Sequence, residues 1–286
     1  MTQNINNNAD GISLEDSNSL SRIVAKEIRT HALRMVHQAN ASHIGSCLSM
    51  ADLLSVLYCN ILKINPQSPG DNDRDRFFLS KGHGAAILYA LLAERGFFPI
   101  KDLDNYCKDG SMLTGHINSE VPGAEFSTGS LGHGLPVACG VALAGQAGHN
   151  PYRVFVMLSD GELDEGSNWE AILFAPHHKL DNLVAIVDYN KLQGFGATPD
   201  VLDLEPLDKK WQTFGWSVRV IDGHNHSEIN AAFKAVPFEK GKPSVIIANT
   251  VKGKGVGFME NQLAWHYKSP NDAQLEQARA ELGDLA

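Results

Sequence analysis

Basic residues are in short supply. The 286-residue chain has 24 Lys and Arg against 33 Asp and Glu, a formal charge of −9. A surface of that sign repels phosphate backbones and anionic lipid, which argues against nucleic acid or a membrane surface as the main partner. A phosphorylated ligand in a local pocket is not excluded, because a metal or helix ends can supply positive charge there. Long apolar runs are also missing. The longest uncharged stretch, residues 126–152, is full of Gly, Ser, His and Asn and does not read as a membrane span. Residues 1–10 are polar and Asn-rich, without the basic start and apolar centre of a secretion signal. Cysteine is scarce as well. Cys47, Cys59, Cys107 and Cys139 lie far apart, form no C-x-x-C pair, and each falls in a mostly apolar, helix-like context. That pattern predicts reduced, buried thiols in a cytoplasmic protein rather than a disulfide framework or a zinc ribbon.

What is present is ordinary for a chain that buries a real core: 43% apolar and 20% charged residues. With no internal repeat and no Pro/Ser-rich linker, the simplest partition is a disordered polar tail over residues 1–12 and one domain over 13–286. Apolar positions at helical spacing (Ile23, Val24, Ile28, Leu33, Val36) predict a helix over 20–39. A second helix is expected from Ser49 to about Leu62, with Asp52 three residues on as its capping-box acid. A short apolar run at 77–79 ends in Ser80-Lys81-Gly82-His83-Gly84, and a helix follows through Leu92. The Gly-rich passage 128–134 opens a helix of small residues over 135–147, with Pro136 in its first turn.

The second half alternates. Residues 154–158 and 183–187 are β-branched, nearly all-apolar runs, as expected of strands covered on both faces. Residues 217–221 and 244–249 continue the series, with helices near 165–177 and 228–235 between strands. Strand–helix–strand repetition implies an α/β fold, a parallel sheet flanked by helices and joined by right-handed crossovers. In such a sheet successive strands end on one edge. Asp160, just past one strand, and Asn190, just past the next, should therefore meet in the crevice where these sheets bind ligands. A carboxylate, an amide oxygen and the Leu192 backbone carbonyl make three hard oxygen donors suited to magnesium. Asp-Gly after a strand is also a common turn, so position alone leaves both readings open.

At this point the sequence resembles the thiamine diphosphate family. Asp160-Gly161 through Asn190 is similar to its G-D-G-x(n)-N signature, and the chain looks more narrowly like the amino-terminal, diphosphate-binding part of transketolase. Ser42-His43-Ile44-Gly45, the segment from Asp73 through Gly82-His83-Gly84, Thr114-Gly115-His116, Thr128-Gly129-Ser130-Leu131-Gly132 and Lys252-Gly253-Lys254-Gly255 with His266 follow in the family's order. The resemblance spans roughly residues 20–270. It implies thiamine diphosphate and Mg2+ as cofactors, the metal held by Asp160, Asn190 and the Leu192 carbonyl. Gly161 and His83 would touch the diphosphate, and backbone from Gly129 through Ser130 to Leu131 would hold the aminopyrimidine. His43, His116 and His266 would face the sugar, His266 lying against the cofactor too, while Glu165 and Glu170 would join a carboxylate relay across a subunit interface. Their other reading is two solvated acids in a helix's first turn. Six other histidines, His37, His149, His177, His178, His224 and His226, are expected at the surface, the last two in a capping loop. Ser159 stands where the family usually has Gly, Ile44 where it has Pro, and His133 where many members have Gln.

A complete transketolase is more than twice this length, so the resemblance implies a split enzyme. A carboxy-terminal subunit with the pyrimidine-binding and C-terminal domains would assemble with this one as a heterotetramer, acting on sugars or sugar phosphates by two-carbon ketol transfer. Two rival readings remain: the alpha subunit of a 2-oxo-acid dehydrogenase, or a non-catalytic cofactor-binding subunit.

Overall fold

The computed structural model describes residues 14–149 and 152–284; the expected tail at 1–12 lies outside the described residues. In chain order, α1 (Leu14–Gln38), α2 (Ile44–Ser49) and α3 (Ala51–Val56) precede β1 (Arg76–Leu79) and α4 (Ala85–Glu94). Then come α5 (Gly134–Ala147), β2 (Val154–Ser159), α6 (Gly166–His177), β3 (Leu183–Tyr189), α7 (Thr198–Val201) and α8 (Leu207–Thr213). β4 (Ser217–Asp222), α9 (His226–Lys234), β5 (Ser244–Asn249) and α10 (Asp272–Asp284) complete the order. The five strands form one sheet, ordered β1-β2-β3-β5-β4, with every pair parallel.

Side chains of a strand alternate between faces, and here each face has its own core. Phe155, Met157, Val184, Ile186, Ile246 and Ala248 pack beneath α1, α3, α4 and α9. Val154, Val156, Leu158, Ala185, Val187 and Ile247 pack against α5, α6 and α8. All seven residues of β3 are buried, which is why its sequence reads as a continuous apolar run. β4 lies at the sheet edge and exposes Arg219 and Val220. The small residues of α5 serve close packing at two points. A Cβ at Gly134 would fall 2.3 Å from Ser80 Oγ, and one at Gly145 would fall 2.7 Å from the Tyr152 ring.

Three expectations are corrected. The segment expected as one helix from Ser49 is divided at Met50: α2 already runs over Ile44–Ser49, after His43 in a left-handed conformation (φ 74°), and α3 starts at Ala51 and passes into a π-turn over Leu57–Ile61. Ser49 and Asp52 form no capping box: Ser49 donates to Asp188, and Asp52 is buried in an ion pair with Arg29. Among the cysteines, Cys47 and Cys139 are buried, Cys59 is half-buried, and Cys107 is exposed. Cys107 sits in a turn with φ 56°, so the apolar residues around it are not a helix face.

Candidate active site

Because every strand runs the same way, the segments after β1, β2, β3 and β5 converge on one sheet edge. After β2, Asp160 is 1% exposed; its Oδ1 accepts the Gly161 N–H at 2.8 Å, and its Oδ2 accepts the Lys191 N–H at 2.5 Å. The two strand tips therefore touch, as the topology requires. After β3, Asn190 Oδ1 accepts the Leu192 N–H at 3.1 Å, and the Leu192 carbonyl accepts from Lys252 Nζ at 2.8 Å. Burial, then the nearby Asp188 charge, raise the Asp160 pKa to about 6. Burial lowers the Lys252 pKa to about 8, against the pull of Asp160. A buried carboxyl, an amide oxygen and a backbone carbonyl are hard oxygen donors of the kind a divalent cation takes, and here the carbonyl faces the Lys252 ammonium. Gly161 also meets a packing requirement, since a Cβ there would fall 2.9 Å from Gln193 Cγ.

Four histidines gather above this edge. The His43 ring lies 5.0 Å from His83, 5.0 Å from His266 and 6.2 Å from His116, and His83 lies 5.8 Å from His266. They come from four distant segments, tied together by the His43 N–H donating to the His266 carbonyl at 3.0 Å. Burial, then the neighbouring His116 and Lys252, lower the His43 pKa to about 4. Burial, then Lys252, lower that of His266 to about 3. His83 is held well below the ordinary value by burial and then by Lys81. These three rings are therefore neutral at pH 7. Lys252 Nζ lies 3.1 Å from His266 Nδ1. An ammonium can only donate, so His266 Nδ1 accepts and its proton sits on Nε2.

The remaining predicted residues surround this centre. Gly129 backs onto His116, where a Cβ would fall 3.3 Å from the ring. Ser130 shares a hollow with His133 and Glu170, and Leu131 is half-buried beside it. Glu165 packs against Gly132, and both Glu165 and Glu170 are exposed. His149, His177 and His178 are exposed as expected, and His37 is partly covered. His224 and His226 depart from expectation: both are turned inward onto Asp52, at 2.7 Å and 3.1 Å.

Sequence reading misses the layer beneath the site. Asp188, paired with Ala248 near the end of β3, accepts from Lys81 Nζ, Ser49 Oγ and Thr250 Oγ1 and is fully buried. Burial alone would raise its pKa, but Lys81 and these hydrogen bonds lower it. Asn190 Nδ2 points to Asp188 at 3.5 Å, which turns Asn190 Oδ1 to the other side. Glu162 is a second such residue. Its carboxylate accepts from Ser80 Oγ, from the Gly132 N–H at 3.0 Å and from the Ser159 N–H at 3.2 Å, while Ser159 Oγ accepts the Glu162 N–H at 3.2 Å. That reciprocal pair is a capping box. Its signal, Ser-x-x-Glu at 159–162, is visible in the sequence, and it gives the serine at this position a local role.

Comparison with known proteins places the chain. Residues 20–285 match the family model described as transketolase, thiamine diphosphate binding domain. The 6-deoxy-6-sulfo-D-fructose transketolase subunit SqwG of Clostridium sp. (strain MSTE9) is 44% identical over 259 residues, covering 90% of this chain and 94% of that protein. One subunit of the apulose-4-phosphate transketolase of Phocaeicola vulgatus is 40% identical, covering 90% of this chain and 91% of that one. The crystal structure of transketolase from Campylobacter jejuni superposes with a TM-score of 0.87 at 31% identity, over 93% of this chain but 43% of that longer one. These matches favour transketolase over the 2-oxo-acid dehydrogenase alternative. The chain thus belongs to the transketolase family, carries its thiamine diphosphate-binding domain, and is matched over nearly its whole length by relatives named as single transketolase subunits.

Proposed function

We propose that this chain is the coenzyme-binding half of a cytoplasmic, two-subunit transketolase that moves a two-carbon ketol unit from a ketose or its phosphate to an aldose or its phosphate. The observation that carries this reading is the convergence of four histidines and an oxygen donor set on one sheet edge. Asp160, Asn190 Oδ1 and the Leu192 carbonyl would hold Mg2+. Gly161 N–H and His83 would meet the diphosphate, and the backbone of Gly129, Ser130 and Leu131 the aminopyrimidine. When bound, thiamine diphosphate supplies a thiazolium carbon that is both nucleophile and electron acceptor.

The protein's share is positioning and proton transfer. His43, His116 and His266 would orient sugar hydroxyls. His266 presents a proton on Nε2 because Lys252 occupies Nδ1. The neutral rings of His43 and His266 accept or donate hydrogen bonds without repelling the cation below. Glu165 and Glu170, on the outer side of the site, would reach a second copy of the chain in an assembly of two coenzyme-binding and two carboxy-terminal subunits.

The test mixes the purified chain with its candidate partner, a subunit of about 300 residues by domain-size arithmetic, and measures coenzyme binding and ketol transfer separately. Asp160→Ala should abolish Mg2+-dependent thiamine diphosphate binding, and His266→Ala should keep binding while slowing turnover. Unchanged affinity in the first variant, normal turnover in the second, or full turnover by this chain alone would refute the assignment.

A further inference from the structure

A second polar cluster lies where α1, α3, the loop before α9 and the loop after β5 meet. Its floor is complete in itself. Asp52 Oδ1 accepts from Arg29 Nη1 at 3.0 Å and pairs with His226 Nε2 at 3.1 Å. Asp52 Oδ2 accepts from Arg29 Nη2 at 2.6 Å and from His224 Nδ1 at 2.7 Å. Arg29 also donates to the Leu48 carbonyl from Nε and Nη2. The buried acid therefore has no capacity left for further cations.

Three more cations nevertheless stand around it. Arg22, Lys26 and Lys254 line, with the floor, a cavity of about 220 Å3. Arg22 and Lys26 are four residues apart on α1, a spacing at which like charges repel. Arg29 extends the same face by another turn. Lys254 reaches Glu260 at 3.4 Å, and Glu281 is turned away to the Gly257 N–H. On a chain of net charge −9, this is a local reversal of sign with room for an occupant.

We propose that this cavity binds a small phosphate-bearing anion, either inorganic phosphate or a phosphate monoester, at a site separate from the coenzyme edge. The long, partly exposed arms of Arg22, Lys26 and Lys254 are the donors, and the neutralised Asp52 floor holds their base in place. The floor is also bonded to the coenzyme side, because the Val251 N–H donates to His224 Nε2 at 2.9 Å and the next residue is Lys252. The inference does not rest on the proposed reaction.

The experiment titrates inorganic phosphate, and separately glycerol 3-phosphate, into the full chain at constant ionic strength, following backbone amide resonances. Saturable shifts at Arg22, Lys26 and Gly255 are expected, and the tighter titrant identifies the source of the phosphate. Arg22→Glu/Lys26→Glu should weaken binding at least tenfold, Lys254→Ala should weaken it less, and His83→Ala should leave it intact. The exposed position of Arg22 keeps the first variant foldable, with an unchanged circular dichroism spectrum as the check. Absence of saturation with both titrants, or saturation that survives the double variant, would overturn the proposal. So would loss on His83→Ala, which would place the anion at the coenzyme edge.

Discussion

Replacing Lys81 with methionine removes one charge from a place with no water. Both side chains of the Lys81–Asp188 pair are 0% exposed, and Lys81 Nζ also donates to the Ser46 carbonyl. Methionine keeps most of the aliphatic volume, so the loss is electrostatic rather than a cavity. Asp188 would keep only Ser49, Thr250 and the distant Asn190 amide as donors. Removing one partner of a buried pair costs about 3–5 kcal/mol, because the other charge is left uncompensated. With a urea slope of about 3 kcal/mol per molar, the unfolding midpoint should fall by roughly 1 M or more. Adding Asp188→Asn to Lys81→Met should recover part of that loss, since the stranded charge is gone. The deficit of the single variant should also shrink at low pH, where Asp188, no longer held down by Lys81, takes up a proton. Equilibrium urea unfolding at several pH values checks all three. A single variant within about 1 kcal/mol of the parent, or no recovery in the double variant, would refute the reasoning.

Two smaller perturbations probe other points. Ser159→Ala removes one half of the capping box with Glu162 and should lower stability by about 1 kcal/mol, read by urea unfolding, whereas Ser159→Gly should cost less. Burial would raise the Asp52 pKa, but Arg29, then hydrogen bonds from His224, His226 and Arg29, hold it well below the ordinary carboxyl value. A depressed folded value means this group's stabilisation is complete above about pH 4 and is lost as pH falls through the folded value. Asp52→Asn should therefore be less stable than the parent at pH 7, and the gap should close on acidification. A gap that stays constant from pH 7 to pH 2.5 would show that Asp52 is not ionised in the fold.

The strands are legible because a sheet covered on both faces leaves nearly continuous apolar runs, and β2, β3 and β5 read that way. Asp160 and Asn190 follow from chain direction alone: two parallel strands must finish side by side. The Lys191 N–H bond to Asp160 brings the two tips together, and the rings of His43, His83, His116 and His266 gather from four segments. Asp52, Lys81 and Asp188 cannot be read locally. Their partners lie tens to hundreds of residues away, and a charged residue inside an apolar run carries no mark of which distant side chain will neutralise it. Asp52 reads as a helix-cap acid because that is its nearest chemical use. His224 and His226 read as surface residues for the same reason. Glu162 differs, because its partner Ser159 stands three residues away and the pattern is local, though overshadowed by the neighbouring aspartate.

The backbone bond from His43 to the His266 carbonyl joins the two ends of a very long loop. Closing such a loop costs chain entropy before any contact offsets it. Ile44 and Trp265, the neighbours of the two joined residues, are both buried in the core beneath α1, so the clasp closes together with that core. Amide exchange at His43 would report that closure. A ribosome-bound chain that has not yet released residue 266 would own Asp160, Asn190 and Leu192 but lack the His266 ring.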